Sequence, residues 1–115
     1  MSETNRALRY NSGKPPLSYL LYWPRALDEI AQVCKVGEKK YARFNYKKGA
    51  TFSQSADCAL RHLKKFLNGE DLDPESGRHH LAHFAWNALR MCDEAMDEGG
   101  AEALDDRYKK PTTGT

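Results

Sequence analysis

The sequence predicts an all-α fold: a small bundle of three main amphipathic helices behind an irregular N-terminal loop. Three observations carry that prediction. Apolar residues recur at i, i+3, i+4 through three stretches, Gly- and Pro-marked breaks separate those stretches, and no repeat or useful strand-like alternation appears. A chain of 115 residues is long enough for one domain with a modest core. The domain is expected over residues 6–98, and residues 99–115 read as a polar, partly disordered tail.

Taken in order, the segment from Arg9 to Leu21 carries Gly13, Pro15 and Pro16, which oppose regular structure and predict a shaped loop. Pro24 suits the first turn of a helix running to about Tyr41, with Leu27, Ile30, Ala31, Cys34 and Tyr41 on one face. Glu38 shares that face, and because an unpaired buried carboxylate is costly it must reach a cation, a metal or solvent, with a salt bridge or rim position favoured. A loop from Ala42 to Thr51 follows. Ser53 or Ser55 can cap a second helix, whose stripe is Ala56, Ala59, Leu60, Leu63, Phe66 and Leu67 and which Gly69 stops. The third helix is predicted from Asp73 as N-cap and Pro74 as first helical residue to about Glu98, before Gly99 and Gly100. Residues 101–108 can add a helical turn. Three such helices make a thin bundle, so a homo-oligomer, dimer or tetramer, is expected to complete it, with Trp23 and Trp86 as candidates for that contact or for the core.

Composition narrows the function. A formal net charge of +2 gives no support for binding a nucleic-acid polymer. No apolar run approaches the ~20 residues that span a bilayer, and the N-terminus shows no basic-then-apolar signal pattern. The expected location is the cytoplasm. Cys34, Cys58 and Cys92 form no C-x-x-C pair for zinc or redox work, and Cys34 and Cys92 read as small buried hydrophobes.

The chemistry concentrates in residues 70–87, where four carboxylates, three histidines and an asparagine surround one helix start. A single N-cap does not need that mixture. On a helix His80, His83, Asn87, Arg90 and Glu94 form one polar stripe, opposite Leu81, Ala85, Ala88, Leu89 and Cys92. A solvated stripe favours Lys, Glu, Gln and Arg, whereas His80, His83 and Asn87 beside Phe84 read as the lining of a cleft. His80 and His83 at i, i+3 can face one metal, with Glu70, Asp73 and Glu75 just before them. The carboxylates suit Mg²⁺ or Mn²⁺, and the histidines draw the choice toward Mn²⁺, Zn²⁺ or another transition metal. Glu94 with Asp97 reads as a solvated helix end. His62, if the second and third helices are neighbours, can approach His80 and His83, though a structural histidine is the commoner outcome. Lys14, Lys39, Lys40 and Arg61, each on its own an ordinary surface cation, together can neutralise a triphosphate, with Asn45 and Tyr46 meeting the sugar or base.

At these residues the sequence resembles the N-terminal domain of phage-associated dATP/dGTP diphosphohydrolases, from about Arg9 to Asp93. The landmarks are Arg-Tyr-Asn-Ser-Gly-Lys-Pro at 9–15, Val-Gly-Glu-Lys-Lys-Tyr at 36–41, Asn45-Tyr46, Arg61-His62, and Gly-Glu-Asp-Leu-Asp-Pro-Glu-Ser-Gly-x-x-His-Leu-Ala-His-x-x-x-Asn from Gly69 to Asn87. The resemblance implies an all-α, MazG-like pyrophosphohydrolase that cuts a purine dNTP to dNMP and pyrophosphate with Mg²⁺ or Mn²⁺, in the host cytoplasm if phage-encoded. By position it places Glu70, Asp73, Glu75, His80 and His83 at metal, Lys14, Lys40 and Arg61 at phosphates, and Asn45 and Asn87 at the nucleoside. His62 or a carboxylate is the implied base, and His80 and Glu75 are expected to be indispensable for turnover. The chain departs from the general MazG-like pattern in holding no E-x-x-E pair. A non-catalytic nucleotide-sequestering protein would use the same cleft, and a structural or protein-interaction bundle would make its polarity incidental.

Overall fold

The computed structural model describes residues 12–40, 49–97 and 99–108. Their regular structure is helical: a 3₁₀ segment Leu17–Tyr22, then α1 Pro24–Lys40, α2 Phe52–Leu67, α3 His80–Ala95 and the single turn α4 Ala101–Leu104. The bundle expected from the sequence is therefore present. Pro15 and Pro16 do not keep Leu17–Tyr22 irregular, because their carbonyls accept from Leu17 N and Tyr19 N and start the tight turn.

α2 and α3 make the most extensive pairing, α1 packs on the other flank of α3, and the 3₁₀ segment rests on α1. Among the described residues the buried apolar side chains are Val33, Phe52, Ala59 and Ala82, while Ser55, His80 and Asn87 are buried and polar. A core this small, with three polar members, depends on satisfied hydrogen bonds as much as on apolar burial. Between α1 and α3 lies a cavity of about 410 Å³ lined mainly by Ala26, Ile30, Leu72, Leu81, Ala82 and Ala85.

Several sequence expectations are corrected at the level of caps and faces. Thr51, rather than Ser53 or Ser55, caps α2: its hydroxyl accepts from Gln54 N at 3.3 Å, and Gln54 Oε1 accepts from Thr51 N at 3.0 Å, a reciprocal capping box. Ser53 N and Oγ instead donate to Asp106, which draws residues 105–108 onto the start of α2. The third helix begins at His80, with His79 as N-cap accepting from Leu81 N at 3.0 Å, and not at Asp73-Pro74. Asp-Pro opens a turn as readily as a helix. Gly77 adopts φ +72°, and its N–H donates to Asp73 O at 2.7 Å, so the chain closes a turn before the helix starts. Cys34 and Cys92 are exposed, not buried. α1 turns Val33 inward with Leu27, Ile30 and Val36 half-buried, which leaves Ala31 and Cys34 outside. Glu38 is exposed. On α3 the expected apolar face is split: Leu81 and Ala85 are half-buried toward α1, whereas Ala88, Cys92 and Leu89, the last 62% exposed, lie outside, and the polar stripe packs on α2. Tyr41 lies outside the described residues. Trp23 is exposed, whereas Trp86 is half-buried beneath the Arg90 guanidinium, 5.1 Å from its ring. No helix among the described residues is long and apolar enough to cross a membrane.

Candidate active site

Two chain reversals build the site. After α2, Gly69 at φ +100° accepts the conformation an L side chain resists, while Gly69 N donates to Phe66 O and Glu70 N to Lys65 O. That closure returns Glu70 toward α3. The turn through 71–79 then feeds α3, with His80 N donating to Asp71 O at 2.8 Å and Leu72 bridging His79. Glu29 of α1 anchors the turn by accepting from His79 N at 2.8 Å and from Arg78 Nη1 at 3.3 Å.

With α2 and α3 in contact, His62 meets the polar stripe. Its ring lies parallel to His83, centroids 4.3 Å apart and planes 6° apart, and its Nδ1 is 2.9 Å from His80 Nδ1. His80 is fully buried, and its Nε2 is 3.0 Å from Glu70 Oε1. His83 Nε2 lies 2.7 Å from Ser76 Oγ and 3.6 Å from Asp73 Oδ2. Ser76 Oγ donates to Asp73 Oδ2 at 3.0 Å and accepts from Arg78 N at 3.1 Å. A hydroxyl has one proton, so His83 must donate to Ser76 through Nε2–H, and its Nδ1 carries a lone pair.

The electrostatics keep the His62 and His83 rings neutral. Burial, reinforced by His83, His80 and Lys65 and opposed by Asp73, lowers His62 from 6.5 to about 4. Burial also lowers His83, against the pull of Asp73, Glu29 and Glu75. Burial works against the charged form of Asp73, but hydrogen bonds from Ser76 and Glu75 N and the nearby histidines outweigh it and hold the carboxyl below its usual range. Neutral imidazoles retain a ring lone pair at neutral pH, which an imidazolium would lack.

The expected residues separate by where the structure places them. His62, His80, His83, Glu70 and Asp73 come together. Lys40 and Glu75 meet in an exposed pair at 2.6 Å at the edge of that cluster, where a surface ion pair contributes roughly 0–1 kcal/mol. Asn87 sits in the α2–α3 interface, 3% exposed, donating to His83 O at 2.9 Å and to Cys58 Sγ at 3.6 Å. Lys14 and Arg61 are exposed cations, Arg61 next to His62 on α2. Asn45 and Tyr46 lie outside the described residues. Sequence reasoning missed Ser76, which the Glu-Ser-Gly turn places against His83, and Lys65, whose i, i+3 relation to His62 was the available signal. It also missed Glu29. Deeper along the same stripe Arg90 donates to both Glu94 oxygens at 3.0 Å and to Ser55 Oγ at 2.5 Å, pinning α3 to α2.

These side chains do not make a ready metal cage. Their nitrogens and oxygens are hydrogen-bonded to one another, and among the described residues no three His, Cys, Asp or Glu side chains converge on one ion.

Residues 4–107 match the family model of the dATP/dGTP diphosphohydrolase N-terminal domain. A protein of Salmonella phage PMBT28 named dATP/dGTP diphosphohydrolase is 38% identical over 78 residues, which cover 68% of this chain and 26% of that protein. The chain thus spans about a quarter of the length of the relative it matches. No solved structure matches it. A family match across nearly the whole chain, over a helical bundle whose 71–79 turn sets Glu70 against His80 and Asp73 near His83, settles one point: the chain belongs to the dATP/dGTP diphosphohydrolase N-terminal family.

Proposed function

We propose that this protein hydrolyses purine deoxynucleoside triphosphates between the α and β phosphates, releasing dNMP and pyrophosphate, and so controls a nucleotide pool in a phage setting. The observation that carries the reading is the stacked histidine cluster, backed by carboxylates and retaining unpartnered ring nitrogens on His62 and His83 among the described residues. The name of the phage relative supplies the substrate class. In this reading water attacks the α-phosphorus, a histidine takes its proton, and the α-phosphorus–oxygen bond to pyrophosphate breaks. Lys14, Lys40, Arg61 and Lys65 neutralise the phosphates, and Asn45 and Tyr46 meet the nucleoside. Mg²⁺ or Mn²⁺ enters as the counter-ion of the triphosphate, a reading supported by the described residues, among which no three His, Cys, Asp or Glu side chains converge on one ion. The protein works as a homo-oligomer, a reading supported by Leu17, Tyr19, Leu20, Leu21, Tyr22 and Trp23, each more than half exposed.

The test is product analysis of the full chain with dATP, dGTP, dCTP and dTTP in Mg²⁺ or Mn²⁺. Release of dNMP and pyrophosphate from the purine nucleotides is expected. Nucleotide binding without either product would sink the hydrolytic reading.

A further inference from the structure

The His62–His80 contact joins two Nδ1 atoms at 2.9 Å, so one ring must present N–H and the other a lone pair. Glu70 decides which. As a carboxylate it can only accept, so His80 donates Nε2–H to Oε1 across 3.0 Å. With its ring proton placed on Nε2, His80 presents a bare Nδ1, which accepts the proton of His62 Nδ1. His62 is left with its Nε2 lone pair, which no described residue takes. This is the reverse of the tautomer that free histidine prefers. His80 is fully buried, and both its ring nitrogens are consumed by this chain of contacts.

We propose that Glu70 and buried His80 form a relay that holds His62 as the Nδ1–H tautomer and makes its Nε2 the acceptor of the attacking water's proton. The proton-transfer role rests on the hydrolytic reading above; the tautomer does not. The step balances. One water O–H proton moves to His62 Nε2, the water oxygen bonds the α-phosphorus, the bond to the bridging oxygen breaks, and pyrophosphate leaves with that electron pair. The imidazolium that forms is stabilised through His80 by the Glu70 charge, and His62 later returns its proton to solvent. His83 is the less suited base because its Nε2–H is spent on the neutral Ser76 hydroxyl, with Asp73 reached only at 3.6 Å. The groups facing His62 are His80 and His83 from α3, Asp73 from the turn and Lys65 from its own helix, and Lys65 is a cation suited to a phosphate at the same position. His80 and Glu70 are positioning residues here, and His62 is the catalytic one.

The test combines imidazole ¹⁵N spectra and steady-state kinetics on the full chain and its Glu70→Leu variant. Glu70→Leu leaves the buried His80 Nε2–H without its acceptor and lowers stability, so both proteins are compared at equal folded fraction, which melting verifies. The wild type is expected to show His62 with protonated Nδ1 and bare Nε2 near neutral pH. In Glu70→Leu that preference is lost, and kcat for dNMP release falls about 10- to 100-fold with KM little changed. Glu70→Gln retains an acceptor for His80, so it should restore the tautomer but not the full rate. A protonated His62 Nε2 in the wild type, or an unchanged tautomer and kcat in Glu70→Leu, would overturn the relay. The expected tautomer in a protein that releases no product would support the relay and overturn the hydrolytic reading.

Discussion

The two flanks of α3 solve the packing problem in opposite ways. Toward α1 it presents Leu81, Ala82 and Ala85 to an apolar cavity, with Val33 of α1 buried nearby in the core. Toward α2 it presents His80, His83, Asn87 and Arg90, nearly every polar atom of which is matched by Glu70, Ser76, Cys58, Ser55 or Glu94. The first flank needs only apolar shape and tolerates a void. The second needs each partner, because a buried polar group that loses its match pays its desolvation in full. Stability and chemistry are therefore expected to separate across the helix, and substitutions on each flank can break that separation.

The largest effect on stability is expected for Arg90→Leu. It strands Glu94, whose side chain is only 17% exposed, and removes the donor to Ser55, so unfolding free energy should fall by about 3–5 kcal/mol in urea titration. Replacing both partners, Arg90→Met with Glu94→Leu, should recover most of the loss. A neutral Arg90→Leu would mean the polar flank does not hold the helices together. On the other flank Val33→Ala removes buried methyls and should cost about 1–2 kcal/mol while leaving kcat unchanged. A rate loss there, at equal folded fraction, would couple the two flanks.

Acid should act on the polar flank more than on the apolar one. In the unfolded chain His62 and His83 take up protons below about 6.5, whereas the folded chain holds His62 neutral to about 4 and His83 below its usual range. Over that window the unfolded state binds more protons, so the stability these residues contribute is fully present above 6.5 and is lost as pH falls toward 4. Asp73 adds a further loss below its ordinary value of 3.8. Denaturation curves at stepped pH should show this decline, and His62→Asn should flatten it. The smallest change is Thr51→Ala, expected to cost about 1 kcal/mol through the lost α2 cap, with no effect on turnover.

How much was legible follows from the same contrast. The three helices could be read because Pro24, the Gly69 stop and the spacing of Ala56, Ala59, Leu63 and Phe66 are local signals. Which flank of α3 is buried could not be read from apolar periodicity, since a polar stripe that satisfies itself packs as well as an apolar one. Leu89 outside and His80 inside are the result. The start of α3 was misplaced because Asp73-Pro74 serves a turn and a helix equally, and Gly77 decides between them through its positive φ. The meeting of His62 with His80 and His83 could be anticipated from their helix faces. The Ser76 contact could not, because it depends on how the 71–79 turn folds back on α3, whereas Lys65 was legible in principle from its i, i+3 spacing to His62.

The most direct measurement is the kcat for dGTP and dATP conversion to dNMP by His62→Asn beside the wild type, at equal melting temperature. The separation of flanks predicts wild-type release of dNMP and pyrophosphate and a fall of about 100-fold or more in the variant. Wild-type turnover that survives intact in His62→Asn would place the chemistry elsewhere and contradict it.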